Sequence, residues 1–521
     1  MNKPVIIVGA GPIGLMMALA CQFYGLDFVL LEEDESFSSD TKAGTVLTRT
    51  IEACRRYGRD ADVLAEALRV DEIGELERAT NKRRTSVQLD LLTDQTRFPF
   101  VLNIPQHYFE PILARGLTSG DVRLGHQMTS FTQDADGVRV VADGPHGEVS
   151  FDGSYLIACD GGQSKIRASL GVPVEGMTLD VKYMLIDVKA DLDVANPRDY
   201  PYLAYFSDPE EWMILIRQPH CWRFLYPLEP GVDDVSEAEL EAKVRRFVGD
   251  VGGLEMLQTI TYRVHHRVAS EWRNGRVFLA GDAAHLITPM WALGMNTGVL
   301  DAINLPWRLA WVLRGWADEA LLDGYGREQR PLAVHGSGEM AEAARKLMGA
   351  ETSDSGIETS SDWALAMTRS LLGVRLDVDG KSDWSIVCKV RGPVQPGSRM
   401  PDLELHTGDG RITRVHDICD DSFVALHFTD ARRKPDLPDD LPGLKSFIVS
   451  NWDAPLDSGK RGRALLDVGN ALFKSVGCHE DTVVLVRPDD HVAAIFPMKP
   501  GAVHAAYQAV LAGGVAGKPE P

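Results

Sequence analysis

The chain is most constrained at its start. A glycine turn, GAGPIG from Gly9 to Gly14, joins an apolar run at residues 4–8 to a stretch rich in Leu, Met and Ala at residues 15–22. This order predicts a strand, a tight turn and a helix. Gly9 permits the turn, Gly11 and Pro12 bring the main chain close to a pyrophosphate at the helix N-terminus, and Gly14 lets the helix pack against the strand. A second apolar run at residues 27–31 ends in Glu32. That places an acid about twenty residues from the turn, the separation at which a carboxylate accepts hydrogen bonds from an adenosine ribose. The combined order points to an α/β, Rossmann-like nucleotide domain; the alternative is a plain glycine turn with Glu32 solvated.

A chain of 521 residues accommodates two or three domains. Helical spacing marks residues 48–57 and 104–116, the latter with Pro105 at its start, and residues 70–90 lean towards strand. Residues 138–142 alternate between Asp-Gly turn signals as a hairpin strand does, and residues 155–158 form a short apolar strand. From 184 to 228 the pattern becomes extended segments at 184–188, 203–206, 212–216 and 221–226, an antiparallel sheet. A strand at 276–280 returns to the first domain, and a Trp-rich helix follows at 301–315. A helical region then runs to about residue 369 and includes a polar surface loop at 351–362. Three prolines in residues 393–401 mark a linker. Beyond it, strands at 423–428, 446–450, 482–487 and 491–496 alternate with helical pieces. The expected division is a nucleotide domain over 1–180, a mainly antiparallel substrate domain over 181–270, a return with helices over 271–392, and a small C-terminal domain over 393–521.

Acidic residues exceed basic ones by 75 to 54, a net charge of −21 that opposes binding to nucleic acid and to anionic membranes. A small-molecule partner is expected. The seven cysteines, at 21, 54, 159, 221, 388, 419 and 478, contain no CxxC pair, so neither a disulfide framework nor a metal site is suggested. No apolar run reaches the roughly 20 residues that span a bilayer, and the expected location is the cytoplasm.

Two further motifs bear on chemistry. CDGGQSKIR at 159–167 puts Asp160 at the end of a predicted strand, and GDAAHLITPMWALGMN at 281–296 combines an acid, a rigid proline and a small-residue turn. Carboxylates suit sugar hydroxyls, which are donors. The predicted sheet is dense in aromatics: Tyr202, Tyr205, Phe206, Trp212, Trp222, Phe224 and Tyr226. On alternate positions they line a flat ligand cavity, or else they are sheet core. Tyr205, Trp222 and Phe224 are the cavity candidates.

With all three motifs in order, the chain resembles the single-component FAD-dependent aromatic hydroxylases, the flavoprotein monooxygenases that include p-hydroxybenzoate and phenol hydroxylases. The resemblance covers essentially the whole length. It implies that Gly9, Gly11, Pro12, Gly14 and Glu32 hold the FAD adenosine and pyrophosphate, with Asp160 nearby. It assigns Gly281 and Asp282 to the ribityl chain. Pro289 is to lie against the flavin, and the backbone at Leu293, Gly294 and Met295, with Asn296 starting the next helix, is to face its pyrimidine side. Lys42 stands where the family has an arginine, and Gln106 matches a family glutamine; Lys42 as a solvated surface residue is the alternative. The segment after Pro393 resembles the thioredoxin-like C-terminal domain of phenol hydroxylases, without redox cysteines, in a structural or homodimer-forming role. The implied cofactors are FAD, NADH or NADPH as transient reductant, and molecular oxygen. The implied activity is hydroxylation of a small aromatic, phenolic substrate through a flavin C4a-hydroperoxide.

The chain also departs from the family. Where many relatives carry Gly-Gly-Gln before Gly294, this chain has Trp291-Ala292-Leu293. Met290 and Trp291 are therefore expected at the substrate pocket, with Trp291 as a wall or, alternatively, turned into the protein. No catalytic base is evident; Tyr205, Tyr226, His107 and His220 are candidates. Three other functions compete. A flavin halogenase is disfavoured because WRLAW at Trp307–Trp311 does not match the WxWxIP run of such enzymes. An oxygenase of polyketides or other polycyclic aromatics, by hydroxylation or Baeyer-Villiger chemistry, shares the scaffold. A non-enzymatic binding protein on this fold is the alternative of another class.

Overall fold

In the computed structural model, residues 3–513 are described apart from 38–42, 193–199, 229–230, 233–234, 250, 339–340, 342–347, 349–393, 430–434, 436, 439, 452–461 and 478–480. Lys42, the loop at 351–362 and Cys478 lie outside the described residues. The first strand, Val5–Val8, runs parallel to Phe28–Leu31 on one side and to Tyr155–Ala158 on the other. Val277–Leu279 and Asp121–Arg123 extend this sheet in parallel, with Arg273–Asn274 antiparallel at the edge. Its central strands Val5–Val8, Phe28–Leu31, Tyr155–Ala158 and Val277–Leu279 are continuous apolar runs, fully buried because both faces are covered. The helix Pro12–Phe23 lies on one face, packed against the long helix Leu293–Leu313.

The mixed α/β fold is thus as expected, with three differences in the middle of the chain. An eight-stranded sheet is built largely from Val174–Lys189, Leu203–Ser207, Met213–Arg217, Trp222–Pro227 and Glu255–Ala269. The 15-residue strand Glu255–Ala269, not anticipated, carries it back to the first sheet. Nor is it purely antiparallel, since Glu72–Glu77 joins it parallel to Leu203–Ser207. The helix Glu237–Val248, also not anticipated, starts at a capping box in which Ser236 and Glu239 satisfy each other's backbone. Its Leu240, Val244 and Phe247 cover the sheet's far face.

A third sheet of seven strands occupies the C-terminal part, with Phe423–Phe428 parallel to Leu444–Ser450 and antiparallel to Thr482–Val486. No helix among the described residues is long and apolar enough to cross a membrane.

Candidate active site

The glycine turn is fixed by contact. Gly9 has φ +101°, and a β-carbon there would lie 2.3 Å from the Cys159 carbonyl oxygen; one on Gly14 would lie 1.8 Å from the Gly9 oxygen. The crossing of helix and strand therefore depends on both glycines. Glu32 sits just beyond the second strand, where its Oε2 accepts the Ala10 N–H at 2.6 Å and its Oε1 accepts the Asp34 N–H at 3.1 Å. It thereby braces the turn. Asp160 follows Tyr155–Ala158, and its Oδ2 accepts from the Ile166 N–H at 3.1 Å. Burial raises its pKa, and its Oδ1 has no partner among the described residues.

The strand Val277–Leu279 delivers Gly281 in a left-handed turn, with φ +59°. The Gly281 N–H donates to Asp301 Oδ2 at 2.8 Å, and the same oxygen is 3.0 Å from His285 Nε2. Both side chains are fully buried, and the His285 ring stacks on Trp272 at 5.2 Å. This dyad anchors the turn from below and leaves Asp282 exposed towards a cavity.

Residues 289–296 form the opposite lip. Pro289, Ala292, Gly294 and Met295 line the cavity, while Met290, Trp291 and Leu293 are buried in packing. Trp291 and Ala292 both adopt left-handed backbone, with φ 59° and 55°, a conformation costing a non-glycine residue roughly 1–2 kcal/mol. Trp291 does not line the cavity. Its ring stacks on Tyr205 at 4.8 Å and 18°. The Asn296 amide is occupied by the protein: Oδ1 accepts from the Leu47 N–H and Thr50 Oγ1, and Nδ2 donates to the Thr45 and Ala292 carbonyls. It ties the start of the long helix to residues 45–50.

The cavity encloses about 440 Å³ between these loops and the eight-stranded sheet. Gly11, Pro12, Gln106, Gly161 and Asp282 lie on one side. Leu203, Tyr205, Ile214, Leu225 and Tyr262 are among those on the other. Gln106, first in the helix Gln106–Arg115, donates to Glu110 at 2.7 Å and accepts from the Ala43 N–H at 3.3 Å.

Four of the five pocket candidates lie outside the cavity lining: Met290 and Trp291, buried in packing, and Trp222 and Phe224. Successive side chains alternate across a strand, and on Trp222–Pro227 it is Arg223 and Leu225 that face the cavity. Trp222 and Phe224 point the other way, as does Tyr226, into the core capped by Phe247. Aromatic density did not reveal this because the unanticipated helix makes the far face equally apolar. His107 and His220 also lie outside the cavity lining, either side of Tyr108 at ring distances of 4.3 and 5.6 Å. Burial, with the nearby Arg223, lowers the His107 pKa. Of the base candidates, Tyr205 alone borders the cavity, and burial pushes the pKa of its hydroxyl upward.

Comparison with known proteins agrees with this geometry. The sequence profile of the FAD binding domain family matches residues 2–335, more than half of the chain. The chain belongs to this family. It is 30% identical over 438 residues to the 12-dehydrotetracycline 5-monooxygenase/anhydrotetracycline 6-monooxygenase of Streptomyces rimosus, covering 79% of this chain and 82% of that one. It is 32% identical over 524 residues to the 3-(3-hydroxy-phenyl)propionate/3-hydroxycinnamic acid hydroxylase of Klebsiella pneumoniae, covering 94% and 91%. The fold matches that of aklavinone-11 hydroxylase in ternary complex with FAD and aklavinone, with a TM-score of 0.81 at 24% identity over 98% and 99% of the two chains. The protein is an FAD-dependent aromatic monooxygenase.

One residue of this flavoprotein's cavity went unremarked in the sequence. Arg223, 2% exposed, is the one arginine or lysine in the cavity lining among the described residues. Its Nε and Nη2 donate to Asp187 at 2.8 and 3.0 Å from the directly opposed strand position. A β-carbon on Gly44 would lie 2.7 Å from Arg223 Nη1, so glycine there admits the guanidinium to the cavity edge. The available signal was one arginine alternating with aromatics in WRFLY, and an acid at the matching place in the partner strand.

Proposed function

We propose that the enzyme hydroxylates a flat aromatic substrate carrying a phenolic or enolic hydroxyl, held between the loops at 281–295 and Arg223. The supporting observation is a cavity with nucleotide-type turns on one wall and an apolar sheet bearing Arg223 on the other. Such pockets bind mainly by apolar contact and orient by a few polar groups.

The residues present fit FAD. The helix Pro12–Phe23 opens at Gly11 without a side-chain cap or an acid in its first turn, and a β-carbon on Gly11 would meet nothing within 4 Å. Its free N–H groups suit a pyrophosphate. Glu32, Asp160 and Asp282 are assigned to adenosine ribose, pyrophosphate surroundings and ribityl hydroxyls, and Pro289, Gly294 and Met295 to the flavin ring. Bound FAD supplies what side chains lack, taking up hydride from NADH or NADPH and activating oxygen for transfer to the ring. The protein orients the ring and excludes water. Arg223, partly neutralised by Asp187, favours the ionised form of a weakly acidic hydroxyl and so enriches the ring in electrons. Tyr205 stays protonated and positions rather than removes a proton. A polycyclic aromatic is the second reading, favoured by the similarity to the tetracycline-modifying relative along 82% of that chain. We also propose that the C-terminal sheet is a thioredoxin-like domain without dithiol chemistry; Cys419 is buried there, and burial raises its pKa.

The test is oxygen-dependent NADH and NADPH oxidation in the presence of 3-(3-hydroxyphenyl)propionate, p-nitrophenol and anhydrotetracycline, with mass analysis of products. Addition of one oxygen atom to a ring is expected; no stimulation by any phenol would overturn the reading. Arg223→Met alone leaves Asp187 buried without its guanidinium partner, so the informative variant pairs Arg223→Met with Asp187→Leu. It is expected to keep FAD and to bind the stimulating phenol roughly 10- to 100-fold more weakly, the range for losing a hydrogen bond to a charged group. Unchanged affinity, read from perturbation of the flavin spectrum, would remove Arg223 from substrate binding.

A further inference from the structure

Trp291 and Tyr205 meet where the two halves of the cavity join. Tyr205 belongs to Leu203–Ser207, in the interior of the eight-stranded sheet, and its ring forms part of the cavity wall. Trp291 belongs to the other half, in the loop whose Pro289, Ala292 and Gly294 line the same cavity. One direct contact joins them: the rings are stacked at 4.8 Å and 18°. Trp291 is absent from the cavity lining and packs in the core behind it.

The backbone makes this contact more than packing. Trp291 and Ala292 are consecutive left-handed residues, with φ 59°, ψ 21° and φ 55°, ψ 28°. Glycine would hold that conformation without strain; tryptophan holds it only if its surroundings compensate. Offset stacking on Tyr205 supplies such an attraction. Ala292 is in turn held through its carbonyl by Asn296 Nδ2 at 2.7 Å. The loop is thus pinned to the substrate sheet on one side and to the long helix on the other.

We infer that Trp291 is a positioning residue: through its stack on Tyr205 it locks the cofactor-facing loop to the substrate wall, so that the fit of the aromatic ligand and the placement of the flavin are set together. A ligand that displaces the Tyr205 ring also displaces the loop. Ligands that leave Tyr205 in place keep reductant use coupled to hydroxylation. This rests on the placement of FAD beside Pro289 and Gly294 proposed above.

The test uses the FAD-loaded enzyme and the rate at which FAD is released on dilution, followed by recovery of free-flavin fluorescence. Trp291→Gly relieves the left-handed backbone but removes the stack, and Tyr205→Leu removes the stack from the other side. Each is expected to speed release by about fivefold, the size of one aromatic pair. The double variant should be no faster than either single one, and Trp291→Phe, which can still stack, should stay within about twofold of the parent. In turnover with the phenol that best stimulates the parent, Trp291→Gly should lower product formed per NAD(P)H more than it lowers kcat, whereas Trp291→Phe should not. Asp282→Ala is the reference for the cofactor's placement. If it speeds release and Trp291→Gly does not, the lock is refuted and the placement stands. If neither changes release, both are refuted. Multiplying effects in the double variant would also refute the lock, because they would show the two rings acting separately.

Discussion

Gly14→Ala is expected to leave purification with less than about one-tenth of the parent's flavin, because its β-carbon would sit 1.8 Å from the Gly9 carbonyl oxygen. Backbone cannot yield there as a flexible side chain can. Gly9 itself is held against Cys159, at the end of the strand that carries Asp160. The helix must therefore move outward, opening the junction of three strands and withdrawing its N-terminus from the cavity. Overpacking of this kind costs about 1–3 kcal/mol where side chains can adjust, and more against backbone. Gly11→Ala separates fold from cofactor. Gly11 has φ −66°, which alanine adopts readily, and a β-carbon there meets no protein atom within 4 Å. The Gly11→Ala apoprotein should melt as the parent apoprotein does, yet bind FAD at least about tenfold more weakly because the methyl enters the space assigned to pyrophosphate. Calorimetry of both apoproteins, with FAD titration, checks this. Normal FAD affinity in Gly11→Ala would move the pyrophosphate elsewhere.

That contrast shows what was legible in the sequence. The glycine turn, the strand leading to Asp160 and the GD turn were readable because each rests on local sterics: a position either admits a β-carbon or does not. The run of strands between 184 and 228 was readable from alternation. Which face of those strands meets the ligand was not. Trp222, Phe224 and Arg223 differ by one step of parity, and the deciding element, the helix Glu237–Val248, is remote from them in sequence. The Ser236–Glu239 capping box was its available signal. Asn296 illustrates a different limit. Its place in the motif was evident, but its four hydrogen bonds run to residues 45, 47, 50 and 292, mostly some 250 positions away. Trp291 was legible as a departure, whereas its partner Tyr205 became apparent only in three dimensions.

The junction between the C-terminal sheet and the rest of the molecule should be the enzyme's acid-sensitive seam. The turn at residues 487–491 inserts its charges between two helices. Arg49 donates to Asp490 Oδ2 at 2.9 Å and to the Asp489 carbonyl at 2.7 Å, Arg56 pairs with Asp490 Oδ1, and Trp307 Nε1 donates to Asp489 Oδ2 at 3.1 Å. Arg487 reaches Glu328 at 2.7 Å, and Arg308 reaches the same carboxylate at 2.7 Å. Burial works against ionisation of Asp490, but Arg56, His416 and Arg49 overcome it and hold the carboxyl far below the usual range. Asp402, likewise buried but facing His416 and Arg97, is held at about 2. The buried His491 is pushed down to about 4.

All three shifts are depressions, so stability is full above each unfolded-state pKa and is lost as pH falls towards the folded value. His491 therefore weakens the junction from about pH 6.5 down to about 4, by on the order of 3 kcal/mol. The carboxylates add a second loss from about pH 4 downward. Melting temperatures between pH 8 and 3 should fall in those two steps, and His491→Phe should flatten the first. Asp490→Ala should cost about 3–5 kcal/mol even at pH 7, because Arg49 and Arg56 would remain buried without their shared partner. A melting temperature flat from pH 6.5 to 4, or an Asp490→Ala enzyme as stable as the parent, would show that the seam is held by apolar packing instead. Trp307, Trp311, Phe423 and Tyr507 provide such packing beside it. The charged network then would serve to fix how the C-terminal sheet is seated, an orientation that apolar contact alone leaves poorly specified.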